Sequence, residues 1–280
     1  MVRFRAAQAE AFLSSRPAFF RVGPDATLVP DPAAHSPWGP DMLHGRLLAG
    51  LAARAAELDG GEAGFRPVRI TVDMFRAAPM EPVGVACDVV RAGRRVRAVQ
   101  VSLTCAGQEV VRAAALLMRV GPQPGGRVWE PEPWSVPPPG DVARMNPVTG
   151  EDDDGPGFLE IRPLTPGGFD AVAQKRLWIR ETRPLVDSED PTPFVRTACA
   201  ADLANPFSNS GEGGLHFINA DLSVYLARPP VGEWIGLEVS GRSSADGVAV
   251  ADANLYDEVG RVGQCAVASV ATGAFSPPAP

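Results

Sequence analysis

The clearest hydrophobic pattern lies at residues 219–234, NADLSVYLARPPVGEW. Leu222, Val224 and Leu226 fall on one side of a period of two, and Asp221, Ser223 and Tyr225 on the other. This alternation predicts a strand with one buried face. Pro229 and Pro230 end it, because proline brings no N–H to a ladder. A similar pattern, RITVDMFRAAPMEPVG, occupies 69–84. Aligning TVDMFR (71–76) with SVYLAR (223–228) carries AVQVSLT (98–104) onto VADANLY (250–256). With one residue added, Gly107 meets Gly260, and both halves then close on small and apolar residues, RAAALLMRV and QCAVASVAT. Repetition at so long a period implies a duplicated unit rather than a solenoid.

Each half also has a helical pattern ahead of its strands. In DMLHGRLLAGLAARAAELDGG, Leu43, Leu47, Leu51, Ala55 and Leu58 form a stripe at helical spacing. Asp41 is the expected N-cap and Gly60-Gly61 the stop. In DPTPFVRTACAADLANP the helix is expected to start near Thr192-Pro193 and to stop before Pro206. The predicted helices therefore cover 41–58 and 192–204. Turns are legible at RAGRR (91–95), CAGQE (105–109), SADG (244–247) and DEVGR (257–261). One helix followed by an antiparallel sheet, twice, is an α+β plan. Residues 121–157 are rich in proline, glycine and acid and read as a connector without a long regular element. Trp129 and Trp134 suggest that it is pinned to a surface. The expected units are 1–120, a connector at 121–157, and 158–280.

Composition narrows the picture. Hydrophobic residues make up 45% and charged residues 21%, enough apolar side chains for a packed core. The net charge is −7 and no basic stripe occurs, which argues against a nucleic-acid partner. No stretch approaches the roughly 20 apolar residues of a spanning helix. MVRFRAAQAEAFLSSRP does not read as a signal peptide. Cys87, Cys105, Cys199 and Cys265 lie far apart and read as free thiols of a reducing cytoplasm. Neither they nor His35, His44 and His216 form a metal-ligand spacing. No GxSxG elbow, P-loop or GxGxxG occurs.

Three pieces carry a resemblance over about 17–272: MLHGRLLAGLAARAAE, PVRITVDMFRAAPM, and CAADLAN…FINADLSVYLARPPVGEW…LYDEVGRVG. Together they resemble the acyl-CoA thioesterase II family of double hotdog proteins. The resemblance implies two sheets joined edge to edge with two helices packed across them. It also implies hydrolysis of an acyl-CoA or acyl-carrier thioester without a cofactor, in fatty acid metabolism. A homo-oligomeric state stays open. Asp202 matches the family's aspartate that orients the attacking water. Asn219 stands where the family usually has a threonine that helps hold that water. The family's glutamine on the last strand falls at Ala268, or at Val267 with a one-residue slip. The nearest glutamine, Gln264, is a further oxyanion or substrate-binding candidate, about 13 Å away along a strand unless the strand bulges.

The residues have their own physical reading beside this one. Asp202 sits in the last turn of a predicted helix, where a carboxylate opposes the macrodipole; a water-activating group and a surface charge are both readings of that position. Asn219 can donate and accept, or simply make a turn bond. Gly45 at a helix start leaves backbone N–H groups bare for an oxyanion, and His44 is either a base, a donor or a structural group. The segment NPFSNSGEGGLHF (205–217) is expected to act as a mobile lid or to be a surface loop. Arg91, Arg94, Arg95 and Arg97 could meet phosphates or form a solvated turn. Two rivals to hydrolysis remain. One is a non-catalytic acyl-thioester binding protein, suggested by the absent glutamine. The other is a hotdog dehydratase or hydratase, for which His44 is the one candidate.

Overall fold

The computed structural model describes residues 17–145 and 159–275. The first part runs β1 (Phe20–Val22), β2 (Leu28–Pro30), β3 (His35–Ser36), β4 (Gly39–Leu43), α1 (Gly45–Leu58), then β5 (Phe65–Met74), β6 (Val83–Ala92), β7 (Val96–Cys105) and β8 (Gln108–Arg119). The second runs β9 (Leu159–Pro163), β10 (Arg176–Glu181), α2 (Pro193–Ala201), α3 (Ala204–Asn209), β11 (Ser210–Gly211), β12 (Gly214–Asn219), β13 (Asp221–Leu226), β14 (Ile235–Ala245), β15 (Val248–Asp257) and β16 (Gly260–Phe275). Apart from the β3–β4 pair, these strands form one 14-stranded sheet. Its main path is β1-β2-β6-β7-β8-β5-β13-β16-β15-β14-β10-β9, with β12 on the far half of β16 and β11 on β12.

The two repeats meet where β5 pairs antiparallel with β13. Thr71 lies opposite Ser223, and the Ser223 hydroxyl donates to Thr71 Oγ1 at 3.2 Å. These two residues are 152 apart, the period of the repeat itself. The approximate twofold of the duplication therefore passes through this pair. On the inner side of the same strands Ile70, Val72, Leu222 and Val224 are fully buried. Each such side chain contributes about 1.5–3 kcal/mol of burial. Alternation sends Arg69, Thr71, Tyr225 and Ser223 to the outer face.

α1 packs on β5–β8 and on α2. The helices approach closely at Gly50, where a Cβ would stand 2.4 Å from the Cys199 sulfur. The predicted turns are hairpins. Ala106 and Gly107 (φ +49° and +72°) and Asp246 and Gly247 (φ +51° and +77°) have the left-handed pairs that suit the twist of two-residue loops.

Several expectations need correction. α1 does not begin at Asp41: residues 39–43 are β4, paired with β3, and the cap is His44. Histidine is an uncommon cap, so the carboxylate three residues earlier drew the prediction. The second helix does start behind Thr192, whose hydroxyl accepts the Val195 N–H. It stops at Ala201, and a separate helix follows with Pro206 in its first turn, where no N–H is required. The segment 205–217 is thus α3 and the β11–β12 hairpin rather than a loop. The connector forms only a 3₁₀ turn at Pro139–Asp141 among its described residues; 146–157 lie outside them. Trp134 is pinned, stacked on Tyr256 with centroids 4.2 Å apart, but Trp129 is 85% exposed.

Candidate active site

Asp202 is the residue at which α2 ends, and it caps that helix rather than lying within it. The break brings its side chain inward, leaving it 6% exposed. Asn219, the last residue of β12, donates from Nδ2 to Asp202 Oδ1 at 2.8 Å. The other carboxylate oxygen faces the start of α1: a Cβ built on Gly45 would lie 3.6 Å from Oδ2. Helix end, strand end and helix start thus converge on one carboxyl group. Met74 closes the cluster, its sulfur 3.8 Å from Asn219 Nδ2.

The electrostatics follow from that placement. Burial raises the Asp202 carboxyl above its ordinary value; the Asn219 bond and the positive charge of Arg46 oppose the rise without cancelling it. At the start of α1 the Arg46 N–H donates to His44 Nδ1 at 3.4 Å, and the Leu47 N–H to the His44 carbonyl at 3.0 Å. The Gly45 N–H belongs to the first turn, whose donors the helix itself does not consume. His44 is held well below the usual histidine range, by burial first and then by Arg46 and His35. Its imidazole is neutral near pH 7, with Nδ1 acting as acceptor and cap.

Arg46 and Glu181 are absent from the sequence reading. Arg46 is 1% exposed, and its Nη1 lies 2.6 Å from both Glu181 oxygens. Its guanidinium also stands over the Phe19 ring at 5.0 Å. A charge beside Gly45 on an apolar helix face was the available signal, but its partner is 135 residues away. Another buried polar set adjoins Asn219. Asn205 donates to the Phe217 carbonyl at 3.1 Å and accepts from Ser269 at 2.8 Å and from Asn209 at 3.0 Å. Ser269 is the register partner of Asn219.

Of the sequence candidates, the structure brings Asp202, Asn219, Gly45 and His44 together. It does not bring Gln264. That residue is exposed, and its amide oxygen accepts from Arg261 at 3.2 Å on the outer face. Past the register shift at Arg261 and Gly263, Cys265, Val267 and Ser269 of β16 are buried, so the alternating set that includes Gln264 and Ala268 faces the other way. The Arg91–Arg97 hairpin is a solvent-facing turn in which Arg97 pairs with Glu62. Among the described residues no group of three or more His, Cys, Asp or Glu side chains is placed to hold a metal. No described helix is long and apolar enough to cross a membrane.

Residues 34–118 match the model of the acyl-CoA thioesterase N-terminal domain, and 138–268 that of its C-terminal domain. The chain belongs to the acyl-CoA thioesterase family. Solved structures agree in fold. A conserved protein of unknown function with a hot dog fold from Alicyclobacillus acidocaldarius is 18% identical, covers 88% of this chain and 92% of its own, and has a TM-score of 0.69. A candidate thioesterase II from Thermobifida fusca is also 18% identical, with 95% and 97% covered and a TM-score of 0.68. The tesB protein of Mycobacterium avium subspecies paratuberculosis is 17% identical, with 95% and 98% covered and a TM-score of 0.61. No curated protein matches the sequence. The fold is the double hotdog.

Proposed function

We propose that the protein hydrolyses acyl-CoA thioesters, with Asp202 as the base that activates water. The observation that carries the reading is the contact of Asp202 with Asn219 beside the free N-terminus of α1. In the proposed reaction a water molecule gives a proton to Asp202 while its oxygen attacks the thioester carbonyl carbon. The Gly45 N–H and the positive end of α1 stabilise the oxyanion. The intermediate collapses with cleavage of the C–S bond, and the proton goes to the leaving thiolate. The products are the free acid and coenzyme A. Asn219 fixes one carboxylate oxygen, so its role is to orient the base. A raised pKa makes that carboxylate a stronger base than a solvated one. Met74 stands against Asn219, its sulfur 3.8 Å from Nδ2.

The reading extends to two hotdog units, 1–120 and 158–280, joined by 121–157. A cytoplasmic place in fatty acid metabolism and an acyl-carrier thioester as substrate are its finer parts. One observation favours a second reading, a non-catalytic acyl-thioester binder: the inward position on β16 is Val267, which offers no amide for the water. The dehydratase reading has no comparable support, because His44 Nδ1 is engaged as a helix cap. Thiol release from acyl-CoAs of graded chain length, with Asp202→Ala beside the wild type, tests the proposal. Release that depends on Asp202 supports hydrolysis; tight binding without release supports the binder.

A further inference from the structure

The outer face of the sheet carries a groove of about 1390 Å³ that the proposed hydrolysis does not use. Its floor comes from β8, β5, β13 and β16, and the connector around Trp134 forms its roof. Arg69, Tyr225 and Gln264 stand side by side on adjacent strands of the floor. Arg66, Arg119 and Arg261 also line it. Apolar surface runs alongside: Leu116, Met118 and Val120 follow one strand, and Met118 and Val120 are 41% and 53% exposed.

Two donors in this groove lack acceptors. Arg69 Nε on the floor and Trp134 Nε1 on the roof are both shielded from solvent without a hydrogen-bond partner among the described residues. A shielded donor left unpaired is a cost that an incoming acceptor removes. The guanidinium edge is shaped to receive a planar carboxylate by two parallel bonds. The acids present narrow the choice of anion. Asp257 is already neutralised by Arg228 at 2.7 Å, but Glu130, Glu132 and Glu258 stand on the exposed rim. Arg119 is likewise paired with Glu62 at 3.8 Å, so three arginines face three free carboxylates, a balance that suits a single negative charge better than a polyphosphate.

We propose that this groove binds an amphipathic monocarboxylate, with its head on Arg69 and its alkyl chain along Leu116, Met118 and Val120. The stretch from 116 to 120 spans about 13 Å at about 3.3 Å per residue, the reach of a medium-length chain. The site lies on the opposite side of the sheet from Asp202 and does not depend on turnover.

Photolabelling the full chain with a diazirine-bearing dodecanoate, followed by peptide mapping, tests this directly. Saturable adducts are expected within 116–136 and 225–264. Excess dodecanoate should compete them away, whereas acetate, which lacks the chain, and dodecanol, which lacks the charge, should not. Arg69→Gln should cut groove labelling at least tenfold, and Trp134→Phe, which removes one donor and keeps the ring, severalfold. Asp202→Ala should label the groove as the wild type does, so loss of hydrolysis and loss of this site remain separable. Adducts confined to the surroundings of Asp202 and Asn219, no saturable labelling, or wild-type labelling in both groove variants would overturn the proposal.

Discussion

The two helices of the duplication lie antiparallel, and their two ends have diverged. At one end the start of α1 meets the end of α2: Gly45 faces Asp202, and Asn219 holds the carboxylate. At the other, the start of α2 meets the end of α1: the Thr192 hydroxyl bonds the Glu57 carboxylate. Burial raises both carboxyls. What differs is the helix start. Pro193 occupies the first helical position at the second end and has no N–H to offer. Nor is there a counterpart of Asn219, since the repeat period places Pro67 at its position. A carboxyl with a raised pKa is therefore common to both ends, whereas a bare donor beside it belongs to one. Duplication supplied two helix ends, and the local residues give only one of them the bare donor that the proposed hydrolysis requires.

The largest effect expected from breaking this asymmetry is on the base. Asp202→Asn should lower thiol release from acyl-CoAs by on the order of a thousandfold, while Glu57→Gln leaves it unchanged. Steady-state thiol assays on both variants check this, and equal losses would remove the distinction between the ends. Gly45→Pro copies the second end onto the first. His44 is already extended (φ −70°, ψ 127°), the backbone that a following proline requires. A folded variant with kcat reduced about a hundredfold and cooperative melting retained is the expected result. Unchanged kcat would assign the oxyanion to another donor.

Third comes pH. In the proposed hydrolysis ionised Asp202 is the active form, so release should rise with pH through an inflection above the ordinary value of 3.8. The sign for stability is opposite. A folded-state pKa raised above the unfolded one favours the fold at low pH, and that contribution is lost as pH climbs through the raised value. Asp202→Asn should therefore melt higher than the wild type near neutrality, by about 2–4 °C for each kcal/mol regained. Calorimetry over a pH series reads this, and a lower melting temperature in the variant would contradict it. The smallest effect concerns the absent amide. Val267→Gln points inward and should raise turnover severalfold, at a cost of about 1–3 kcal/mol for burying an amide. Ala268→Gln points outward and should change neither. A gain from Ala268→Gln alone would reverse the assignment of the two faces of β16.

Much of the architecture was legible along the chain because it rests on short-range rules. Alternation marked β5 and β13, left-handed turn residues marked the hairpins, and Thr192-Pro193 marked the start of α2. The repeat period could be read from pattern alone. That its axis runs through Thr71 and Ser223 could not, because register between distant strands depends on the assembled sheet. Asp202 and Asn219 were named from a resemblance. Their direct bond depends on the break between α2 and α3, which Pro206 announced and then hid by sitting inside the following helix. Local signals misplaced the start of α1, since pairing of β3 with β4 overrode the capping preference of Asp41.

The chain by itself determined which residue types were available: a carboxylate and an amide near the repeat strand, a glycine and a histidine before a helix, and no amide at 267 or 268. Only the tertiary structure decided which of them share a side. Side chains on a strand alternate, so Gln264 and Val267, three residues apart, belong to opposite faces. Long-range packing set Arg46 against Glu181 and left Arg69 Nε without a hydrogen-bond partner among the described residues. Burial and unpaired donors are properties of surroundings, and surroundings exist only once the chain has folded.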